Sequence, residues 1–210
     1  MSTRTYPADR TALILVDLLN DFFADDGKLN GLIAPMLKRM DLTARLAHLI
    51  ERSREKGVRL FYSPHGIDEH SFDDVKSLLP VFQGALDNHV FWKGSYGGDF
   101  YEPLKPRQGE VVISHHRMFD SFVGTDLDQR LKAHGIERVV LAGLTAHTCV
   151  ESTGRHALEA GYDVTYLTDA VAEFTEAAQR AAVDLSYPTF GHSVTTIEGF
   201  VAGIEPATAA

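Results

Sequence analysis

The chain is poor in cysteine, in positive charge and in long apolar runs. Cys149 is the one cysteine among 210 residues, so no internal disulfide can form; this fits a reducing compartment and sets the expectation of a cytoplasmic protein. No run of about 18 apolar residues exists to span a membrane. The opening MSTRTYPADR lacks the apolar centre of a secretory leader. Lys and Arg total 20 against 29 Asp and Glu, a formal net charge of -9. That balance argues against a nucleic-acid backbone and against an anionic membrane surface as partners. A small-molecule partner stays open, because a local pocket need not share the sign of the whole surface. There is no internal repeat, low-complexity tract or linker, so residues 1–210 read as a single domain with room for a sizeable core. One further gap bears on chemistry: no lysine lies between Lys105 and Lys132.

What is present is ordinary for a globular domain, 44% hydrophobic and 23% charged. Residues 12–18 (ALILVDL) form a nearly continuous apolar run that ends at Asp17. Residues 42–56 carry Leu42, Leu46, Leu49 and Ile50 at helical spacing, closed by Gly57. Further strands are expected at 58–62, 110–114, 139–141, 163–167 and 193–197. Helices are expected from Thr125 to Gly135, from about Ala146 to Gly161, and from Thr175 to Leu185. Residues 63–109 show little periodicity and read as a long loop region with short helices. The tail after Phe200 is small and Ala-rich and is expected to be loosely held. Strands alternating with helices predict an α/β fold: a three-layer α/β/α sandwich around a six-stranded, mostly parallel sheet. In such folds ligands bind beyond the carboxyl ends of the strands. Asp17, His65, His115, His116 and Cys149 all fall at that edge.

Cys149 follows an apolar strand and a turn at Gly143, in or near the first turn of a helix. Unpaired N–H groups and the helix dipole favour an anion there, so a lowered thiol pKa is expected. The plain alternative is a small buried hydrophobe. Asp17 likewise has a plain alternative, a strand-end carboxylate that accepts a nearby backbone N–H. Asp21 is expected to cap the following turn or to pair locally.

Four blocks together resemble the isochorismatase-like cysteine hydrolase superfamily: LILVDLLNDF (13–22), HRMFDSFVGTDLDQRL (116–131), VVLAGLTAHTCVESTGRHALEAGYDV (139–164) and LTDAVAEF (167–174). The resemblance covers nearly the whole chain, and the third block is its most specific part. It implies the isochorismatase-like hydrolase fold, Asp17 as acid/base, Cys149 as nucleophile, and the backbone N–H groups of Thr145 and Cys149 as an oxyanion hole. It also implies a cis peptide bond at Leu144–Thr145, no cofactor, and a homo-oligomer, dimer or tetramer. The chemistry implied is attack of the thiolate on a carbonyl carbon, protonation of the departing nitrogen by Asp17, and hydrolysis of the thioester by water.

The chain departs from the family pattern at two places. The family's catalytic lysine falls on His116 when the block is aligned without gaps; a one-residue shift puts it on His115. His116 is the expected catalytic group and His115 the alternative. Histidine has an unperturbed pKa of about 6.5, so it serves as a cation only if its partners hold the proton there. Leu19 stands where the family often has glutamine, which makes the pocket more apolar. His65 and His70 in SPHGIDEH partly resemble the nicotinamidase metal site, but Ser63 occupies the aspartate position, and two histidines alone make a weak site, so no metal is expected. Phe22, Trp92 and Phe119, with Leu19, are the expected substrate contacts, and residues 92–100 (WKGSYGGDF) are a possible lid. The function expected is cleavage of a C–N bond in a small amide, ureido or carbamoyl compound through a thioester. The alternatives are a non-covalent, isochorismatase-type vinyl-ether hydrolase and a non-catalytic binding protein on the same fold.

Overall fold

The computed structural model describes residues 4–207. β1 (Tyr6–Pro7) precedes β2 (Thr11–Val16), the helices α1 (Asn20–Phe23), α2 (Asn30–Met40) and α3 (Leu42–Glu55), and then β3 (Arg59–Ser63). Next come α4 (Pro80–Asp87), β4 (Val111–Val112), α5 (Leu127–Ala133) and β5 (Arg138–Leu144). A wide π-type turn, Ala146–Val150, leads into α6 (Glu151–Glu159), which β6 (Asp163–Ala172) follows. The chain ends with α7 (Glu176–Arg180), α8 (Tyr187–Phe190), β7 (Ser193–Thr195), α9 (Ile197–Gly203) and β8 (Ile204–Glu205).

The main sheet has six strands in the order β4-β3-β2-β5-β6-β7. All five pairings are parallel. Every residue of β2 is buried, as expected of a central parallel strand covered on both faces. Alternation along the strands divides the core in two. Leu13, Leu15, Leu60 and Val140 pack with Leu46 of α3 and Phe200 of α9 on one face. Ile14, Phe61, Leu141 and Tyr166 pack with Leu131 of α5 and Ala157 of α6 on the other. The result is the three-layer α/β/α fold.

One expectation is corrected, and one helix was not among those expected. The chain beyond Phe200 is not loose. α9 carries it to β8, which pairs in parallel with β1, Tyr6 opposite Ile204, and only residues 208–210 fall outside the description. α2 had no clear signal in the sequence, since Gly31 and Pro35 interrupt the pattern and only Ile33, Met36 and Leu37 are buried.

β2 sends its connection to β3 on one side and is flanked by β5 on the other. The order of strands therefore reverses at β2, and a crevice opens beyond the carboxyl ends of β2 and β5.

Candidate active site

Four neighbouring strand ends deliver the polar groups of this crevice. Asp17 is the first residue after β2, and its backbone is left-handed, φ 55°. Its N–H donates to the Ser63 carbonyl at the end of β3, 2.9 Å away. Holding a non-glycine residue there costs roughly 1–3 kcal/mol and is a recurrent feature of functional sites. Gly143 makes room beside it: at φ 114°, an added Cβ would lie 2.1 Å from the Val16 carbonyl oxygen. Only glycine lets β5 approach β2 this closely.

β3 and β4 stay paired beyond their regular ends. The Gly66 N–H donates to the His116 carbonyl at 3.0 Å and the His116 N–H to the Pro64 carbonyl at 3.1 Å. This puts His65 and His116 side by side, ring centroids 4.9 Å apart. Asp17 Oδ1 accepts the His65 backbone N–H at 2.7 Å and lies 2.9 Å from His116 Nε2. The other nitrogen of His116, Nδ1, is 2.6 Å from the Met118 carbonyl oxygen. A carbonyl only accepts, so Nδ1 carries a proton, and one further proton sits between Nε2 and Asp17. Burial lowers the pKa of His116, but the Asp17 charge, its hydrogen bond, the Met118 carbonyl and Asp120 outweigh it, and the net shift is upward. The upward shift favours the imidazolium form of His116 at its contact with Asp17, both side chains fully buried. His115 is exposed, its ring lying against the Gly66 backbone. Of the two histidines, His116 is the one at Asp17.

Cys149 lies in the turn after β5 and is buried. Here an expectation is corrected. Burial, then the Asp17 charge and its hydrogen bond, push the thiol well above its ordinary pKa; the Thr148 hydroxyl and the Thr145 backbone pull the other way and lose. Desolvation beats the helix-end effect and favours the protonated thiol. Asp17 Oδ2 is buried and accepts from no N–H or hydroxyl, which leaves one oxygen of the carboxyl to the thiol. The Leu144–Thr145 bond that leads into the turn is cis.

Further buried polar groups without a signature in the sequence hold this centre in place. Glu173, at the end of β6, is buried and accepts the His147 and Phe174 N–H groups, each at 2.9 Å. It ties the Cys149 turn to β6. A hydroxyl chain, Ser63 to Ser121 at 2.7 Å and Thr153 to Ser121 at 2.9 Å, joins β3 to α6 behind the site. Asp21 is not a simple turn cap. It accepts the Lys28 N–H at 3.1 Å and the distant Phe91 N–H at 2.6 Å, joining two wall segments.

A cavity of about 780 Å³ opens onto Cys149, lined by Phe22, Phe82, Phe91, Phe119 and Phe174 among others, with Thr145, Thr148 and His65 on its lining as well. Of the expected contacts, Phe22 and Phe119 line it. Leu19 does not: it is fully buried in the core. Trp92 does not either: it packs on His89, ring centroids 4.2 Å apart, while its neighbour Phe91 reaches the cavity. Residues 92–100 are no lid. Asp99 and Tyr96 carbonyls accept from Asn20, at 2.9 Å and 2.8 Å, and none of the segment lines the cavity.

The residues do not fit a metal ion. Ser63, in the would-be carboxylate position, bonds to Ser121, and His70 is exposed beside Asp73. Among the described residues no group of three or more His, Cys, Asp or Glu could hold one.

The isochorismatase domain model matches residues 11–198. The chain belongs to the isochorismatase family. This family member is 27% identical over 215 residues to the ureidoacrylate amidohydrolase RutB of Variovorax paradoxus (strain S110), covering 96% of this chain and 84% of that protein. A cysteine hydrolase from Pseudomonas syringae pv. phaseolicola 1448A shares its fold, with TM-score 0.82 and 22% identity over 97% of both chains. An N-carbamoylsarcosine amidase from Thermoplasma acidophilum superposes with TM-score 0.66 and 25% identity, covering 89% of this chain and 95% of that one.

Proposed function

We propose that this isochorismatase-family protein is a cysteine-dependent hydrolase that cleaves the C–N bond of an amide, ureido or carbamoyl compound through a thioester. The observation that carries the reading is Asp17, fixed on one oxygen by His116 and the His65 N–H, with its other oxygen left to a protonated Cys149. The amidohydrolase and amidase activities named for two relatives support it.

In the first half-reaction the Asp17 carboxylate accepts the thiol proton as sulfur attacks the substrate carbonyl. A C–S bond forms and the π electrons move onto oxygen. The backbone N–H groups of Thr145 and Cys149 serve as donors to that oxyanion; losing one such donor costs roughly 10²–10³ in rate. The intermediate collapses, and Asp17 returns the proton to the leaving nitrogen, so an uncharged amine or ammonia departs. In the second half Asp17 takes a proton from water, hydroxide adds to the thioester, and the C–S bond breaks. The carboxylic acid leaves, and Asp17 returns its proton to sulfur. His116 keeps its charge throughout and takes the place of the family's lysine.

The test is ammonia release from amides and ureido compounds by wild type, Cys149→Ala and Asp17→Asn, with mass spectrometry of the protein during turnover. The expected result is a substrate-dependent mass increase on Cys149 and loss of turnover in both variants. Vinyl-ether cleavage that survives Cys149→Ala would instead establish the non-covalent chemistry, and binding without any turnover would establish a non-catalytic protein.

A further inference from the structure

The wall of the cavity differs in character from its floor. Besides its five phenylalanines it is built from Leu29, Leu32, Val81, Ala85 and Val90. No Arg, Asp or Glu lines it. Most of its polar side chains are already engaged. The Thr145 and Thr148 hydroxyls bond to each other at 2.6 Å, the Asn88 amide donates to the Gly84 carbonyl at 2.8 Å, and the Lys28 ammonium donates to the His89 carbonyl. Besides the exposed Lys28 ammonium, which keeps two further N–H donors, the polar groups left for a ligand are the thiol and the His65 ring, whose Nδ1 is buried without a partner. Both belong to the reacting end. Leu32 and Val81 continue the apolar lining to the mouth, where they are 66% and 58% exposed. The volume, about 780 Å³, lies within the range of pockets for drug-sized ligands, about 300–1,000 Å³, and far exceeds the needs of one carboxamide group.

We propose that the substrate is an uncharged amide with a bulky apolar acyl group, aryl or branched aliphatic, and that ureido and carbamoyl acids with a free carboxylate are poor substrates. This rests on the reading of Cys149 as the nucleophile. The amide end meets the thiol and His65. The acyl group fills the phenylalanine wall, where each buried methylene contributes about threefold to fourfold in binding. A carboxylate set among the phenylalanines loses its water and gains no cation there, since Lys28, the one Lys or Arg on the lining, is exposed; the penalty is roughly 10–100-fold.

The experiment measures kcat/KM, by ammonia release, for acetamide, butyramide, hexanamide, benzamide and 3-phenylpropanamide against ureidoacrylate and N-carbamoylglycine. The same compounds are titrated calorimetrically into Cys149→Ala. Expected is a rise of about threefold or more per methylene along the linear series, high values for the aryl amides, and values at least tenfold lower for the two acids. Leu32→Arg, at an exposed position of the lining, is expected to raise the acids relative to the amides by about tenfold. A flat series, or acids that equal or exceed the amides, overturns the proposal. If no compound releases ammonia, the thiol-hydrolase reading fails by itself. Binding to Cys149→Ala then decides the pocket: tighter apolar amides support the proposal, and tighter acids, or no difference, overturn it.

Discussion

The turns after β3 and β4 each deliver one buried histidine to the same spot, yet the two are driven to opposite charge. His116 has a carbonyl on one nitrogen and a carboxylate on the other, and its pKa is raised. His65 has no side-chain hydrogen-bond partner. Burial first, and then the neighbouring His116 charge, lower its pKa to about 3, against the weaker pull of Asp17. Burial alone makes histidine neutral; only partners on both nitrogens reverse that. One turn thus holds a histidine shifted toward the cation, and the other a neutral ring at the cavity.

The largest effect is expected from breaking the charged side. His116→Leu should lower kcat by about 10²–10⁴. It leaves the Asp17 carboxylate buried without its cation, so a stability loss of about 3–5 kcal/mol should appear in urea unfolding. His116→Lys is expected to restore part of both.

The neutral side is read from acid stability. The folded-state pKa of His65 lies below its unfolded value, so the unfolded chain binds more protons between about pH 6.5 and 3, and stability falls as pH falls through that window. At pH 4 this amounts to at most about 3 kcal/mol. His65→Leu should flatten that part of the profile. The charges that bear on His65 are His116, Asp17 and His115.

His116 acts in the other window. Its raised pKa contributes stability fully below about pH 6.5, and that contribution is lost as pH rises through the folded-state value. Activity that needs the imidazolium should fall on the same alkaline limb, and His116→Lys should move that limb to higher pH. The smallest effect is expected at exposed His115, where alanine should change kcat/KM by less than about threefold.

These contrasts also show what the sequence could and could not tell. Asp17 was legible at the end of an apolar run and Cys149 at a strand–turn–helix junction; each had a plain alternative, and their roles came only from the family resemblance of their blocks. The place of His116 was legible from its block. Its charge was not, because the Met118 carbonyl that fixes its tautomer is a backbone group with no signature. The direction of the thiol shift was misjudged for a similar reason: a helix start is visible in sequence, but the depth of burial that overrides it is not. The cavity wall was the least legible part. His89 and Phe91 both adopt left-handed backbone, φ 50° and 52°. In that irregular segment no periodicity says whether Phe91 or Trp92 faces the ligand. α2 and α4 supply the rest of the wall from a stretch broken by glycine and proline.

The central claim is that His116, with the Met118 carbonyl and Asp17 on its two ring nitrogens, carries a positive charge at neutral pH beside a protonated thiol. Nitrogen-15 NMR of histidine-labelled protein, assigned with His116→Lys and His65→Leu, reads it directly. The account predicts that at pH 7.5 both ring nitrogens of His116 are protonated while the His65 ring is neutral and stays so to about pH 4. A neutral His116 at pH 7.5, with Nε2 bare, would contradict it.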